Sequence, residues 1–266
     1  MRIFTIVAIV FIAILAMVSF SPFQVTGYAP DNISLPDTLS SPSPRHLFGS
    51  DNVGRDVFAR VIYGARASFL IAFGAQIISF AIGISVGVFS GYYNNHWVDR
   101  VCSFIMASFH GFPFLLFVIA ITAALGPGIY KIMTAIGIVN WVGIAGVTRS
   151  EVISHSEKEY VITARSFGYS NFSILFWHIL PNVITSSLIV LIQGFGDVVA
   201  VEAGLSFLGL GVPPPTASWG KMIFTGKDYI TTAWWMSVLP GIFLVMTILS
   251  FNIIGEELMK RWTRRK

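Results

Sequence analysis

The sequence predicts an all-α integral membrane protein with about six transmembrane helices. Three observations predict it. Of the 266 residues, 55% are apolar and only 11% charged, against about 25% charged in a soluble domain, so most of the surface does not meet water. Six segments stay apolar over the roughly 20 residues that a helix needs to cross hydrocarbon. The net charge of +4 is concentrated, with five basic residues in the last seven positions, KRWTRRK, a tail that suits a cytoplasmic membrane face. There is no basic, aromatic-interleaved domain to hold a nucleic acid. The single cysteine, Cys102, excludes an intramolecular disulfide, a CxxC redox pair and a cysteine-ligated metal site.

The spans are expected at residues 3–20, 67–89, 103–124, 132–147, 183–203 and 233–254. The first is expected to be retained and not cleaved as a signal peptide: its apolar run is long for one, only Arg2 precedes it, and no A-x-A site follows. A cytoplasmic tail and six spans place the N-terminus and loop 149–181 in the cytoplasm too. The first external loop runs against the charge rule with Arg45, Arg55, Arg60 and Arg66. Asp51 and Asp56, four residues before Arg55 and Arg60, would partly neutralise them on a helix. Residues 1–66 thus make a first helix plus an external loop with a stiff SSPSP linker, and residues 67–266 the main transmembrane domain. Trp234 and Trp235 before the last span, and Trp262 after it, read as an aromatic belt.

Ala75, Ser79, Gly83, Gly87 and Gly91 form a ridge of small residues along the second span, a contact surface for a helix of this chain or of a partner. Pro113 and Pro240 would kink the third and sixth spans. Polar residues at membrane depth are costly, and His110, Asn140, Gln193, Asp197 and Glu202 are the candidates. Each reads either as part of a pathway or gate, or as a hydrogen-bonded group inside the bundle.

One polar island interrupts the membrane pattern, EYVITARSFGYSNFSILFWHILPN at residues 159–182. Its first half is good helix sequence, with Glu159 early and Arg165 late to complement the dipole. Tyr160, Ala164 and Phe167 share one face. Gly168 is placed to end that helix in the left-handed region, Ser170 to cap a second one, and Pro181 to stop it. A helix–Gly–helix elbow with an exposed apolar stripe suits either insertion into a partner's groove or an interfacial loop lying on lipid.

The island resembles the "EAA…G…ILP" cytoplasmic loop of bacterial ABC-importer permeases. HLFGSDNVGRDVFARVIYGARASF at residues 46–69 and EAGLSFLGLGVPPPTASWG at residues 202–220 are similar to the external segment and signature of dipeptide, oligopeptide and nickel importer permeases, C-type subunit. The resemblance covers nearly the whole chain after Arg45. It implies a type I importer permease fold in a bacterial inner membrane, with Glu159, Tyr160, Ala164, Arg165, Phe167, Gly168, Leu180 and Pro181 coupling to an ATPase. It implies a homologous second permease, two ABC ATPases that bind ATP and Mg, and an extracytoplasmic solute-binding protein. Asp51, Arg55, Asp56, Arg60 and Arg66 are then candidates to meet that binding protein.

The chain departs from the family pattern at Ile162-Thr163-Ala164, where the motif has EAA. The stretch CSFIMASFHGFP, at the start of the third span, lacks the Arg and Asp often present there, leaving a charge contact in that place without its residues. From Gly54 to Arg66, Val57, Phe58, Val61 and Ile62 share a face, as in an amphipathic helix at the outer surface. The three prolines of LGLGVPPPTASWG break any helix, which predicts a turn at the outer mouth with Trp219 at the interface. The chain lacks a GxxxxGK[ST] loop, a catalytic triad and a metal-ligand cluster, so the resemblance implies a non-catalytic subunit without its own cofactor. Solutes other than peptides, such as nickel chelates, remain open. The rival reading is a proton-coupled secondary transporter that titrates Asp197 and Glu202.

Overall fold

A computed structural model describes residues 2–263; Arg264, Arg265 and Lys266 of the basic tail lie outside the described residues. The chain is helical, in the order α1 (Arg2–Phe20), α2 (Pro22–Thr26), α3 (Val57–Tyr92), α4 (Trp97–His110), α5 (Phe114–Leu125), α6 (Ile129–Val139), α7 (Trp141–Ser156), α8 (Glu159–Ser166), α9 (Asn171–Ser173), α10 (Leu180–Phe207), α11 (Trp219–Gly226) and α12 (Trp235–Thr263). Among the described residues, five helical stretches are long and apolar enough to cross a membrane, six when the bent pair α4 and α5 is taken as one span.

Helix α3 is the axis of the bundle, and its small-residue ridge is an intrachain contact. A Cβ on Gly83 would stand 2.8 Å from Ile144 Cβ and the Trp141 carbonyl; on Gly87, 2.6 Å from Thr148 Cβ and the Ala145 carbonyl; on Gly91, 2.7 Å from Val152 Cβ. Backbones approach this closely only where no side chain intervenes, which is how membrane helices gain packing without a hydrophobic drive. Ser79 adds a hydrogen bond from its hydroxyl to the Gly137 carbonyl, 3.0 Å.

Three expectations about helix boundaries need correction. The third span is not a single kinked helix over 103–124. It begins at Trp97 and breaks by 91° between His110 and Phe114, because Pro113 cannot donate to the preceding turn and instead starts α5 from an extended backbone. Pro181 does not stop a helix. A π turn at Ile174–Ile179 precedes it, with the Leu180 amide bonded to the Leu175 carbonyl. The wider turn makes room for the ring, so α9 continues into α10 as one 37-residue stretch. The separate amphipathic helix expected before residue 67 is the first part of α3, which runs unbroken from Val57. Pro240, by contrast, sits inside α12 without interrupting it.

The main core gathers α3, α6, α10, α11 and α12 around Trp219, Ile71, Ile132 and Leu205. Trp219 is fully buried and donates from Nε1 to the Val61 carbonyl, 2.9 Å. Trp235 is buried and donates to the Ser50 carbonyl, 3.1 Å. Neither belongs to a lipid-facing belt: Trp219 ties α11 to α3 and Trp235 ties the loop at Ser50 to α12, each through one N–H donor on a backbone oxygen. Trp234 remains exposed. At one end of the bundle lie the α7–α8–α9 turn and the last residues of α12, where Trp262 donates to Ser186. Phe4 near the start of α1 stands beside Glu256 and Glu257 at that same end. The opposite end carries residues 27–56 and the turn before α11.

Candidate functional site

The elbow at residues 159–182 is built from the backbone outward. Helix α8 ends in a Schellman arrangement: Gly168 has φ +78°, its amide donates to the Arg165 carbonyl at 3.0 Å, and the Tyr169 amide reaches the Ala164 carbonyl at 3.2 Å. Glycine adopts this conformation without a Cβ penalty. Ser170 then caps α9, its hydroxyl accepting from the Ser173 amide at 3.2 Å. Asn182 donates from Nδ2 to the His178 carbonyl at 2.7 Å, alongside the backbone disturbed by Pro181.

The inner face of the elbow is apolar and closed. Val161, Ala164, Ile174, Leu175, Ile179 and Val183 pack against Val88 and Val152 of α3 and α7. Ala164, expected on an outward stripe with Tyr160 and Phe167, is therefore inside, 6% exposed. Tyr160 is held by its hydroxyl against His155 Nδ1, 2.7 Å, and burial raises its pKa. Arg165 lies over the Tyr92 ring at 5.9 Å, and the Tyr92 hydroxyl donates to Asn171 Oδ1 at 2.9 Å, joining the elbow to the end of α3. Glu159, Gly168 and Pro181 are exposed and Leu180 is half-buried.

The outer face is aromatic and bare. Phe167 is 79% exposed, Trp177 75% and Phe172 67%, with Tyr169 and Ile162 beside them. Phe167, Gly168 and Tyr169 border an open concavity. Burying one such ring contributes about 1.5–3 kcal/mol, so a rigid frame here displays several unclaimed increments of association energy.

Behind the elbow stands an ion pair that the sequence reading missed. Arg149, midway along α7, donates from Nε and Nη2 to both oxygens of Asp99 at the start of α4, 2.8 and 2.9 Å. Ser90 donates to Asp99 at 2.6 Å, and the Asn95 amide at 3.2 Å. This pair is distinct from the charge contact sought within residues 102–113, a stretch that carries neither Arg nor Asp. It was overlooked because the third span was drawn from residue 103, which left Asp99 in a loop. The fork of two parallel bonds fixes direction as well as distance.

The polar candidates within the spans separate. Glu202 is completely buried and accepts from Ser68 at 3.0 Å and Ser206 at 2.8 Å, while Ser218 donates to Ser206 at 3.2 Å. This serine cradle ties α3, α10 and the turn before α11 together, and no surface of Glu202 reaches solvent. Asn140, where α6 gives way to α7, donates to Gln76 Oε1 at 3.4 Å. Gln193 packs against Gly255. Asp197 is exposed on α10, and His110 is exposed at the break of the third span. The structure does not bring these residues together.

The external candidates are mostly engaged with one another. Asp51 accepts from Arg55 Nε at 2.7 Å and from the Val53 and Arg55 amides at 3.0 Å each. Asp56 caps α3 through the Ala59 amide at 2.7 Å and pairs with His46 Nδ1 at 2.8 Å, not with Arg60. Arg60 donates to the Pro30 carbonyl at 2.7 Å and lies 3.7 Å from Asp51. Asp51, Asp56 and Arg60 are buried, so this cluster folds the arm. Arg66 alone of the five is exposed.

Comparison with known proteins agrees with this architecture. The model of binding-protein-dependent transport system inner membrane components matches residues 83–265. The dipeptide transport system permease protein DppC of Alkalihalophilus pseudofirmus is 38% identical over 240 residues, 90% of this chain and 78% of that protein. The protein of the same name in Bacillus subtilis is 34% identical, over 94% of this chain and 77% of that protein. Among solved structures, the inward-facing MetNI methionine ABC transporter aligns with a TM-score of 0.60 at 16% identity, covering 76% of this chain and 95% of that chain. An amino acid ABC transporter aligns with a TM-score of 0.57 at 18% identity, covering 78% and 94%; at such identities the likeness speaks for the fold alone. A matched family model spanning most of the chain, close relatives along nearly its full length and a shared helical fold place this protein among the inner membrane components of binding-protein-dependent transport systems, as a multi-span permease subunit of a bacterial inner membrane.

Proposed function

We propose that this chain is a permease subunit of an ATP-driven peptide importer, forming half of a pathway with a homologous permease. The observation that carries the reading is the elbow: a closed apolar inner face, a glycine-fixed bend and an outer face of bare aromatic side chains. A surface of this kind fits a groove on a soluble partner. We place the elbow and both chain ends in the cytoplasm, where two ATPase subunits that bind ATP and Mg dock on it. Their closure pushes α8 and, through the Arg149–Asp99 fork, turns the head of the broken third span. A solute-binding protein delivers the peptide on the opposite side. The relatives named for dipeptide transport support the choice of solute. The cradle around Glu202 disfavours a proton relay, because its carboxylate is held by the hydroxyls of Ser68 and Ser206, which tie helices together.

The test is transport in proteoliposomes containing this permease, its second permease and the ATPases, with the binding protein added outside. Labelled dipeptide should accumulate only when ATP is present on the elbow side. Accumulation driven by a proton gradient without nucleotide would replace this reading with the secondary-transporter one.

A further inference from the structure

One cavity lies apart from the elbow, the fork and the serine cradle. It measures about 310 Å³ and opens at the end of the bundle opposite the elbow, among the start of α3, residues 30–31, the head of α6 and the turn at 215–217. Leu70 and Ile129 give it apolar walls, and Asp31, Tyr63, Arg66 and Thr216 bring polar groups to it. Tyr63, Arg66 and Leu70 recur at i, i+3 and i+7, so one face of α3 forms one wall. Among the described residues, none of Asp31, Tyr63, Arg66 and Thr216 makes a side-chain hydrogen bond or a close ion pair, and Asp31 interacts with charge only at longer range, with Arg60. That sets them apart from their neighbours Asp51, Arg55, Asp56 and Arg60, all engaged within the arm.

We propose that this cavity is a subsite for the charged ends of a short peptide, Arg66 receiving the carboxylate and Asp31 the ammonium. The inference rests on the peptide-import reading and gives the permease its own part in recognising the solute. A ligand with one charge would leave the opposite charge of the cavity without a partner. A small zwitterion with an apolar body satisfies both and packs against Leu70 and Ile129. The volume is at the lower end of about 300–1,000 Å³ for small-molecule sites, which favours a dipeptide over a long chain. A phosphoethanolamine headgroup carries a similar pair of charges, so the experiment separates the two sources.

The whole permease–ATPase complex in nanodiscs, without the binding protein, is titrated with labelled Ala-Phe, its C-terminal amide and its N-acetyl form. Saturable binding of Ala-Phe is expected, weakened about tenfold by either blocking group, the size of one lost charge-assisted contact. In Arg66→Gln the free and amidated peptides should bind alike; in Asp31→Asn the free and acetylated peptides should bind alike. Arg66→Lys should keep most of the preference for the free carboxylate, which guards against misreading a folding defect. Absence of saturable binding overturns the proposal, as does a blocking-group penalty that survives in both variants. Displacement of Ala-Phe by glycerophosphoethanolamine at equal concentration overturns it in favour of a headgroup site. ATP-dependent uptake by the wild-type complex with its binding protein, measured in parallel, reports on the import reading separately: normal uptake with no subsite binding removes the subsite alone.

Discussion

The two ends of the molecule treat their polar and apolar groups in opposite ways. At the arm end, Asp51, Asp56, Arg60 and His46 turn inward and are joined by hydrogen bonds and ion pairs, and Trp235 and Trp219 are buried with their N–H groups bonded to backbone oxygens. At the elbow end the backbone is equally fixed, by Gly168, Ser170 and the π turn, yet Phe167, Phe172 and Trp177 stand outside. The first end, apart from the cavity at Asp31 and Arg66, engages most of its charges internally. The second is rigid but leaves its apolar rings bare, which suits the docking surface proposed above. Substitutions at the arm should therefore cost stability, and substitutions on the outer elbow should cost function.

The largest stability loss should come from the axis that both ends share. Gly87→Leu drives a side chain into Thr148 and the Ala145 carbonyl; overpacking of this kind costs about 3 kcal/mol, read as a fall in thermal midpoint and in recovered folded protein. Asp99→Ala should cost about 2 kcal/mol, less than a fully buried pair because the Arg149 side chain is 29% exposed. Exchanging the two residues, Asp99→Arg with Arg149→Asp, should restore part of the loss. Asp56→Ala removes the α3 cap and the His46 partner for about 1–2 kcal/mol. Amide exchange should then quicken across the arm at residues 37–56, while ATPase activity per transported solute stays unchanged; a loss of coupling there would blur the contrast between the ends. Gly168→Ala should cost about 1 kcal/mol for the left-handed backbone alone, since open space surrounds the site and no clash is added. Its effect on coupling should exceed its effect on the thermal midpoint.

Much of this was legible in the sequence, and the reasons it stopped are specific. The apolar runs gave the spans, and the small-residue ridge at every fourth position gave the α3 contact, because periodicity records which face packs. Gly168 and Ser170 were readable as caps because each role admits few residue types. Pro181 misled because a proline stops an α-helix only if the preceding turn stays α; here that turn widens. Asp99 was lost to a span boundary set too late, and with it the fork to Arg149, a partner fifty positions away that no local pattern reveals. The burial of Asp51, Asp56 and Arg60 was hidden for the same reason: charge type is visible in a sequence, but its partner in space is not. Ala164 shares a face with Phe167 by spacing, yet only packing against Val88 and Val152 shows which side of the elbow is closed.

The central claim is that the bare aromatic face of the elbow is an ATPase-docking surface. Its most direct test is Phe167→Ser with Phe172→Ser, assayed together for thermal midpoint and for ATPase subunits retained on the purified permease. Exposed positions should each change stability by less than about 0.5 kcal/mol, whereas losing two buried interface rings should weaken docking by at least about tenfold. The account therefore expects an unchanged midpoint with the ATPase subunits lost. An unchanged midpoint with the ATPase fully retained would contradict it.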